Sequence, residues 1–137
     1  MGEVRAQVKF INAADESLAR RGQLAPEQIH IYETEAFVDP GAVSTVLPAE
    51  VMQALGLVSV HQRGVEDADG RIEVVPVTEP IVVVIRGRRT SDEALVLGDE
   101  VLIGQTVLEK LDLHVDCANK RLIPNPAHPD QAVNKVK

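Results

Sequence analysis

The apolar residues of this chain come in short runs rich in Val, Ile and Leu, each cut by Gly, Pro or charge. The longest, Ile81 to Ile85, is far shorter than the roughly 20 apolar residues of a membrane-crossing helix. Branched side chains favour strands. Many short strands between turn signals predict a mostly β protein, a small closed antiparallel barrel or a sandwich, with one or two short helices. Strands are expected at Val4–Ile11, Gln28–Tyr32, Glu35–Asp39, His61–Asp67, Arg71–Val77, Ile81–Arg88, Glu93–Leu97, Leu113–Asp116 and Arg121–Ile123. The polar stretch from Asn12 to Glu27 predicts a loop or hairpin excursion, and Gly87 to Asp92 predicts a turn. Ala68-Asp69-Gly70 predicts a tight hairpin, since Asp-Gly suits the positive φ of such turns. Helices are expected at Pro48–Leu57, where Val51, Met52 and Leu55 share a face, and at Gln105–Leu111, where Val107, Leu108 and Leu111 do. Gly56 suits the C-terminal cap of the first. From residue 125 onward Pro, Asn and Lys take over, which predicts a domain over residues 1–124 and a loose tail over 125–137.

With 137 residues, 45% of them hydrophobic, the chain is one domain's worth of sequence and long enough to bury a core unaided. A net charge of −7 argues against nucleic acid as the partner, which needs a basic footprint. The aromatic residues are Phe10, Tyr32 and Phe37, with no Trp, so base-stacking platforms and aromatic cages are excluded. The same shortage argues against reading Asp39, Asp67 and Asp69 as carboxylates of a sugar hydrolase. Cys117 is the only cysteine, so no internal disulfide is possible. The polar N-terminus leads into no apolar signal core, and a soluble cytoplasmic protein with no membrane partner is expected. Four scattered histidines form no ligand set beyond the pair His114 and Asp116, which reads as an exposed strand face. No phosphate or dinucleotide fingerprint is present, so neither metal nor cofactor is expected.

The stretch Ala36-Phe37-Val38-Asp39-Pro40-Gly41-Ala42-Val43-Ser44-Thr45-Val46-Leu47-Pro48 concentrates the chemistry. An apolar strand delivers a carboxylate to a glycine turn, followed by an apolar segment and a helix start. A carboxylate there is costly unless it is hydrogen-bonded or used. Taken alone, it could simply cap its own loop as an Asx turn.

The stretch resembles the active-site loop of the retropepsin-like (retroviral-type) aspartic proteases, in which two apolar residues precede Asp-Thr/Ser-Gly-Ala. Phe37-Val38-Asp39-Pro40-Gly41-Ala42 matches except at Pro40. Val65 to Arg71, containing Asp67-Ala68-Asp69-Gly70, resembles the flap hairpin of bacterial-type single-domain members. Val101-Leu102-Ile103-Gly104 with Gln105 to Leu111 resembles the second glycine loop and its helix. Leu113 to Asp116 and Leu122 to Pro124 resemble the closing strands. The resemblance covers roughly Val4 to Pro124.

It implies an aspartic endopeptidase in which two carboxylates share one proton and activate water. This chain has one such loop, because the second offers Gln105 and no carboxylate. The implied enzyme is therefore a homodimer with Asp39 as the catalytic residue of each subunit. Its flap would close over an extended peptide, and the strands nearest the chain ends, Val4–Ile11 and Arg121–Ile123, would pair across subunits. The departure at Pro40 removes the hydroxyl and the N–H with which the family locks its two loops together. Two readings remain open: a peptidase weakened at Pro40, or a catalytically impaired module for dimerisation or peptide binding.

Overall fold

The computed structural model describes residues 3–136. Its strands are β1 (Val4–Asn12), β2 (Ile31–Val38), β3 (Thr45–Leu47), β4 (Ser59–Glu66), β5 (Ile72–Thr78), β6 (Ile81–Ile85), β7 (Arg88–Asp92), β8 (Ala94–Val96), β9 (Leu102–Ile103), β10 (Leu113–Asp116) and β11 (Arg121–Pro124). Its α-helices are α1 (Ala13–Arg20), α2 (Ala49–Ala54) and α3 (Gln105–Leu111). The mostly β expectation holds, and both expected helices form within the expected segments.

Nine strands make one sheet in the order β4-β5-β8-β3-β9-β2-β1-β6-β7, and β10 and β11 form a separate pair. The expected closed antiparallel barrel is not what forms. The end strands β4 and β7 stay unpaired with each other. β4 is almost wholly exposed and β7, Arg88–Asp92, is made of polar residues, so no apolar face draws the two edges together. Nor is the sheet wholly antiparallel. β2 runs parallel to β9, pairing Phe37 with Leu102 and Val38 with Ile103, and β3 runs parallel to β8. The parallel β2–β9 pair is what brings two strand-ending loops to one end of the sheet.

β1 is an interior strand. It pairs with β2 from Val4 to Ile11 and with β6 from Lys9 to Asn12. β6 covers its second edge only from Lys9 onward, so Val4–Val8 are paired on the β2 side alone.

One apolar cluster runs through the molecule. β1 gives Val4, Val8 and Phe10, β2 gives Ala36 and Val38, and β6 gives Ile81, Val83 and Ile85. α2 adds Val51 and Leu55, and α3 adds Val107, Leu108 and Leu111. Leu113 and Leu122 bring the β10–β11 pair into the same core. Among the described residues no helix is long and apolar enough to cross a membrane.

Three segments differ from their sequence reading. The expected loop from Asn12 contains α1. None of its residues is buried, so it has no apolar stripe for periodicity to detect. It is held by its ends. Asn12 Oδ1 accepts the Asp15 N–H at 3.1 Å, and Asn12 Nδ2 donates to the Leu55 carbonyl at 2.8 Å. The expected turn at Gly87–Asp92 is mostly strand β7. The reversal is only Arg86-Gly87, at φ 52° and 76°, the positive angles that a tight two-residue hairpin turn demands. The third is the segment after Pro124, which is tied back rather than loose over much of its length. The Asp112 carboxylate accepts from Asn125 Nδ2 at 2.9 Å, His128 Nδ1 at 2.6 Å and the Val133 N–H at 3.1 Å.

Candidate active site

Apolar residues carry β2 into the core as far as Val38, and Asp39 is the first residue beyond. Its backbone stays in register, since the Asp39 N–H donates to the Ile103 carbonyl at 2.9 Å. The chain then turns. The Ala42 N–H donates to the Asp39 carbonyl at 3.1 Å, and the Gly41 N–H donates to Asp39 Oδ1 at 2.9 Å. The carboxylate is thus oriented by its own loop, as an Asx turn would orient it. Asp39 Oδ2 has no hydrogen-bond partner among the described residues. Pro40 and Gly41 are exposed, and Ala42 is half-buried.

β9 delivers Leu102, Ile103 and Gly104 beside this loop. The Gln105 N–H donates to the Ala42 carbonyl at 2.7 Å, and the Thr106 N–H donates to the Val43 carbonyl at 3.2 Å. Gly104 is buried, and a side chain there would collide with backbone. An added Cβ would lie 2.7 Å from the Ala42 oxygen and 2.8 Å from the Ser44 oxygen. Glycine is needed here for close approach rather than for an unusual φ, which is −100°. The structure therefore joins two of the three expected segments, Asp39–Ala42 and Leu102–Gly104, into one cradle within a single chain.

The third segment stands apart. Asp67, Ala68, Asp69 and Gly70 form the exposed tip of the β4–β5 hairpin. The tip is wider than a two-residue turn. The Asp67 N–H donates to the Arg71 carbonyl, and Asp67 Oδ1 accepts the N–H groups of Asp69 at 2.9 Å and Arg71 at 3.0 Å. Gly70 adopts φ 80°. Among the described residues no hydrogen bond joins the tip to the Asp39 loop.

Two supports of the site were not read from the sequence. Thr45, fully buried where β3 leaves the Asp39 loop, donates its hydroxyl to Asp92 Oδ2 at 2.8 Å. Asp92 falls in the turn expected at Gly87–Asp92, where nothing local points to Thr45 as its partner. Arg88, where the expected strand Ile81–Arg88 meets the expected turn, is buried. It donates to the carbonyls of Leu111 at 3.0 Å, Asp112 at 2.9 Å and His128. It thereby satisfies the carbonyl end of α3, where a cation is electrostatically favoured.

A cavity of about 1080 Å³ borders the Asp39 loop at Pro40 and runs along α3 and β10. Asp39 does not line it. Among the described residues no three His, Cys, Asp or Glu side chains converge as a metal site would require.

No protein-family model matches the chain. No curated protein matches it either. Solved structures do. The retroviral protease-like domain of Ddi1 from Leishmania major aligns over 92% of this chain and 90% of that one, with a TM-score of 0.56 and 18% identity. EIAV protease complexed with the inhibitor HBY-793 aligns over 56% of this chain and 75% of that one, with a TM-score of 0.47 and 20% identity. The full-length alignment with the Ddi1 domain, together with the two-loop cradle, identifies the architecture: this chain has the retropepsin-like fold.

Proposed function

We propose that the chain is an aspartic endopeptidase that acts as a homodimer, each subunit contributing Asp39 to a shared dyad. The observation that carries this reading is the placement of Asp39. It follows the buried end of β2, is oriented by the Gly41 N–H, and is braced by the second glycine loop at Gly104. One such carboxylate per chain makes a second copy necessary for the chemistry.

In that chemistry the two Asp39 carboxyl groups hold a single proton, because adjacent like charges disfavour double ionisation. The ionised group takes a proton from water as the water oxygen bonds to the peptide carbonyl carbon. The protonated group gives its proton to the carbonyl oxygen, and a tetrahedral diol forms. Collapse of the diol breaks the C–N bond, a proton passes to the leaving nitrogen, and no covalent enzyme intermediate arises. The outer edge of β4 is unpaired and offers backbone groups to an extended peptide. The hairpin tip Asp67–Gly70 is the segment that would move over it.

Pro40 favours a second reading. It is exposed and has neither N–H nor hydroxyl to offer a partner loop. A dyad held more loosely loses rate steeply, and the fold would then serve as a dimerisation or peptide-binding module. Assay on a mixed peptide library, beside Asp39→Asn, separates the two. Cleavage that disappears in Asp39→Asn while the circular dichroism spectrum is unchanged supports the peptidase. Peptide binding without cleavage by either protein supports the module.

A further inference from the structure

The C-terminal segment extends past the strands that complete the core, yet it returns to the neighbourhood of the candidate site. Its attachments are specific and polar. Asp112 adopts a left-handed conformation, φ 55°, at the end of α3. This aims its carboxylate at the segment, where it accepts from Asn125, His128 and the Val133 N–H. Asn134 Nδ2 donates to the Glu109 carbonyl at 3.1 Å. Residues 129–136 are otherwise exposed and carry no regular structure. Hydrogen bonds, rather than apolar burial, hold this part of the chain.

The segment borders the cavity of about 1080 Å³ beside Pro40. That groove is lined by Pro40 on one side, by Leu108 and Val115, and by Val133, Asn134 and Lys135 of the segment itself. Consecutive Cα atoms are about 3.8 Å apart. Any two-fold arrangement that brings two Asp39 carboxylates within hydrogen-bonding distance must therefore bring each Pro40 to the contact. The groove beside Pro40 then belongs to the same contact face, and residues 133–135 form part of its wall. A polar, weakly held segment is a poor core for such a contact, because interface centres favour apolar groups and exclude unpaired charge.

We propose that residues 129–136 form an autoinhibitory strap, clamped by Asp112, that competes with a second copy of the chain for the groove beside Pro40. The proposal rests on the homodimer reading above. Release of the strap uncovers the Leu108 and Val115 side of the groove and leaves the core untouched, since Asn125 and His128 remain bonded to Asp112. A strap that closes the groove in most molecules lowers apparent dimer affinity by the open fraction.

Two variants test this. A chain ending at Pro129 removes the strap but keeps Asn125, His128 and the Arg88 contact. Full-length Val133→Pro removes the one backbone donor to Asp112 while keeping the chain length. Self-association is measured by sedimentation over a concentration series, and exchange of the Val133 amide hydrogen is measured on the dilute full-length protein. The expected result is a protected Val133 amide and dimers about tenfold tighter or more in both variants. An unprotected amide overturns the strap directly. Variants that associate no more tightly than a dimerising full-length chain overturn the competition and leave the homodimer reading standing. If no form associates at any concentration, the homodimer reading fails, and the strap's role fails with it.

Discussion

At the scale of single residues, Gly104 and Asp112 make the sharpest demands. Gly104→Ala would push a methyl group against two backbone oxygens, at 2.7 Å and 2.8 Å. Overpacking of this kind costs about 1–3 kcal/mol. Gly41→Ala meets only the Asp39 side-chain oxygen, at 3.2 Å, which can rotate away. The urea midpoint should therefore fall clearly for Gly104→Ala and much less for Gly41→Ala. A Gly104→Ala protein as stable as the parent would mean that the two loops are not braced as described. At Asp112, the Asn125 side chain above all, then the Val133 N–H and His128, hold the carboxyl at about 2, below its ordinary 3.8. The fold thus prefers the ionised form. The resulting stability is fully present above pH 3.8, fades as pH falls toward about 2, and is gone below that. Asn suits the left-handed backbone at this position. Asp112→Asn should therefore be less stable than the parent near neutral pH, with the two denaturation midpoints converging as pH falls through that window. A gap that stays constant across it would place the stabilisation elsewhere.

At the scale of elements, polar hydrogen bonds decide what apolar periodicity cannot. α1 forms without a buried residue because Asn12 caps it and ties it to the end of α2. The β4–β5 hairpin is exposed along most of β4, and its tip depends on Asp67 Oδ1 accepting two backbone N–H groups. Asp67→Ala leaves those donors to water and costs the tip about 1 kcal/mol. Faster hydrogen exchange at Asp69 and Arg71, with the β1–β2 amides unchanged, is the expected outcome. Uniform acceleration across the sheet would show instead that the hairpin and the core open together.

At the scale of the whole molecule, the unclosed sheet leaves two edges, β4 and β7, and one loop cradle whose proposed chemistry needs a second chain. The retropepsin-like resemblance supplies a cross-subunit lock through a hydroxyl and an N–H at the position of Pro40. Pro40→Thr returns both groups to the loop. Each hydrogen bond contributes on the order of 1 kcal/mol net, and two-fold symmetry repeats it. The dimer dissociation constant measured by sedimentation should fall by roughly tenfold or more in the variant relative to the parent. An unchanged dissociation constant would mean that packing elsewhere has replaced the lock.

Several features were fixed by short-range information. The Val/Ile/Leu runs set most of the strands. Val107, Leu108 and Leu111 set α3, and Gly56 set the end of α2. The spacing of Asp39, Gly41 and Gly104 marked the two loops that the fold brings together. Those signals are local, and each reads the same wherever the segment ends up. The remainder depended on partners distant in sequence. Arg88 is buried because the carbonyls of Leu111, Asp112 and His128 converge on it. Asn12 caps a helix while bonding Leu55. Asp112 gathers the C-terminal segment from a left-handed backbone position. Closure failed for a related reason: alternation tells a strand which face to bury but not which edge to join. The sequence by itself determined most of the strands, α2, α3 and the two loops, because propensity and periodicity act over a few residues. Only the tertiary structure decided which polar side chains are buried, where the sheet ends and how the C-terminal segment is held, because those outcomes depend on hydrogen-bond partners that the chain brings together only after it has folded.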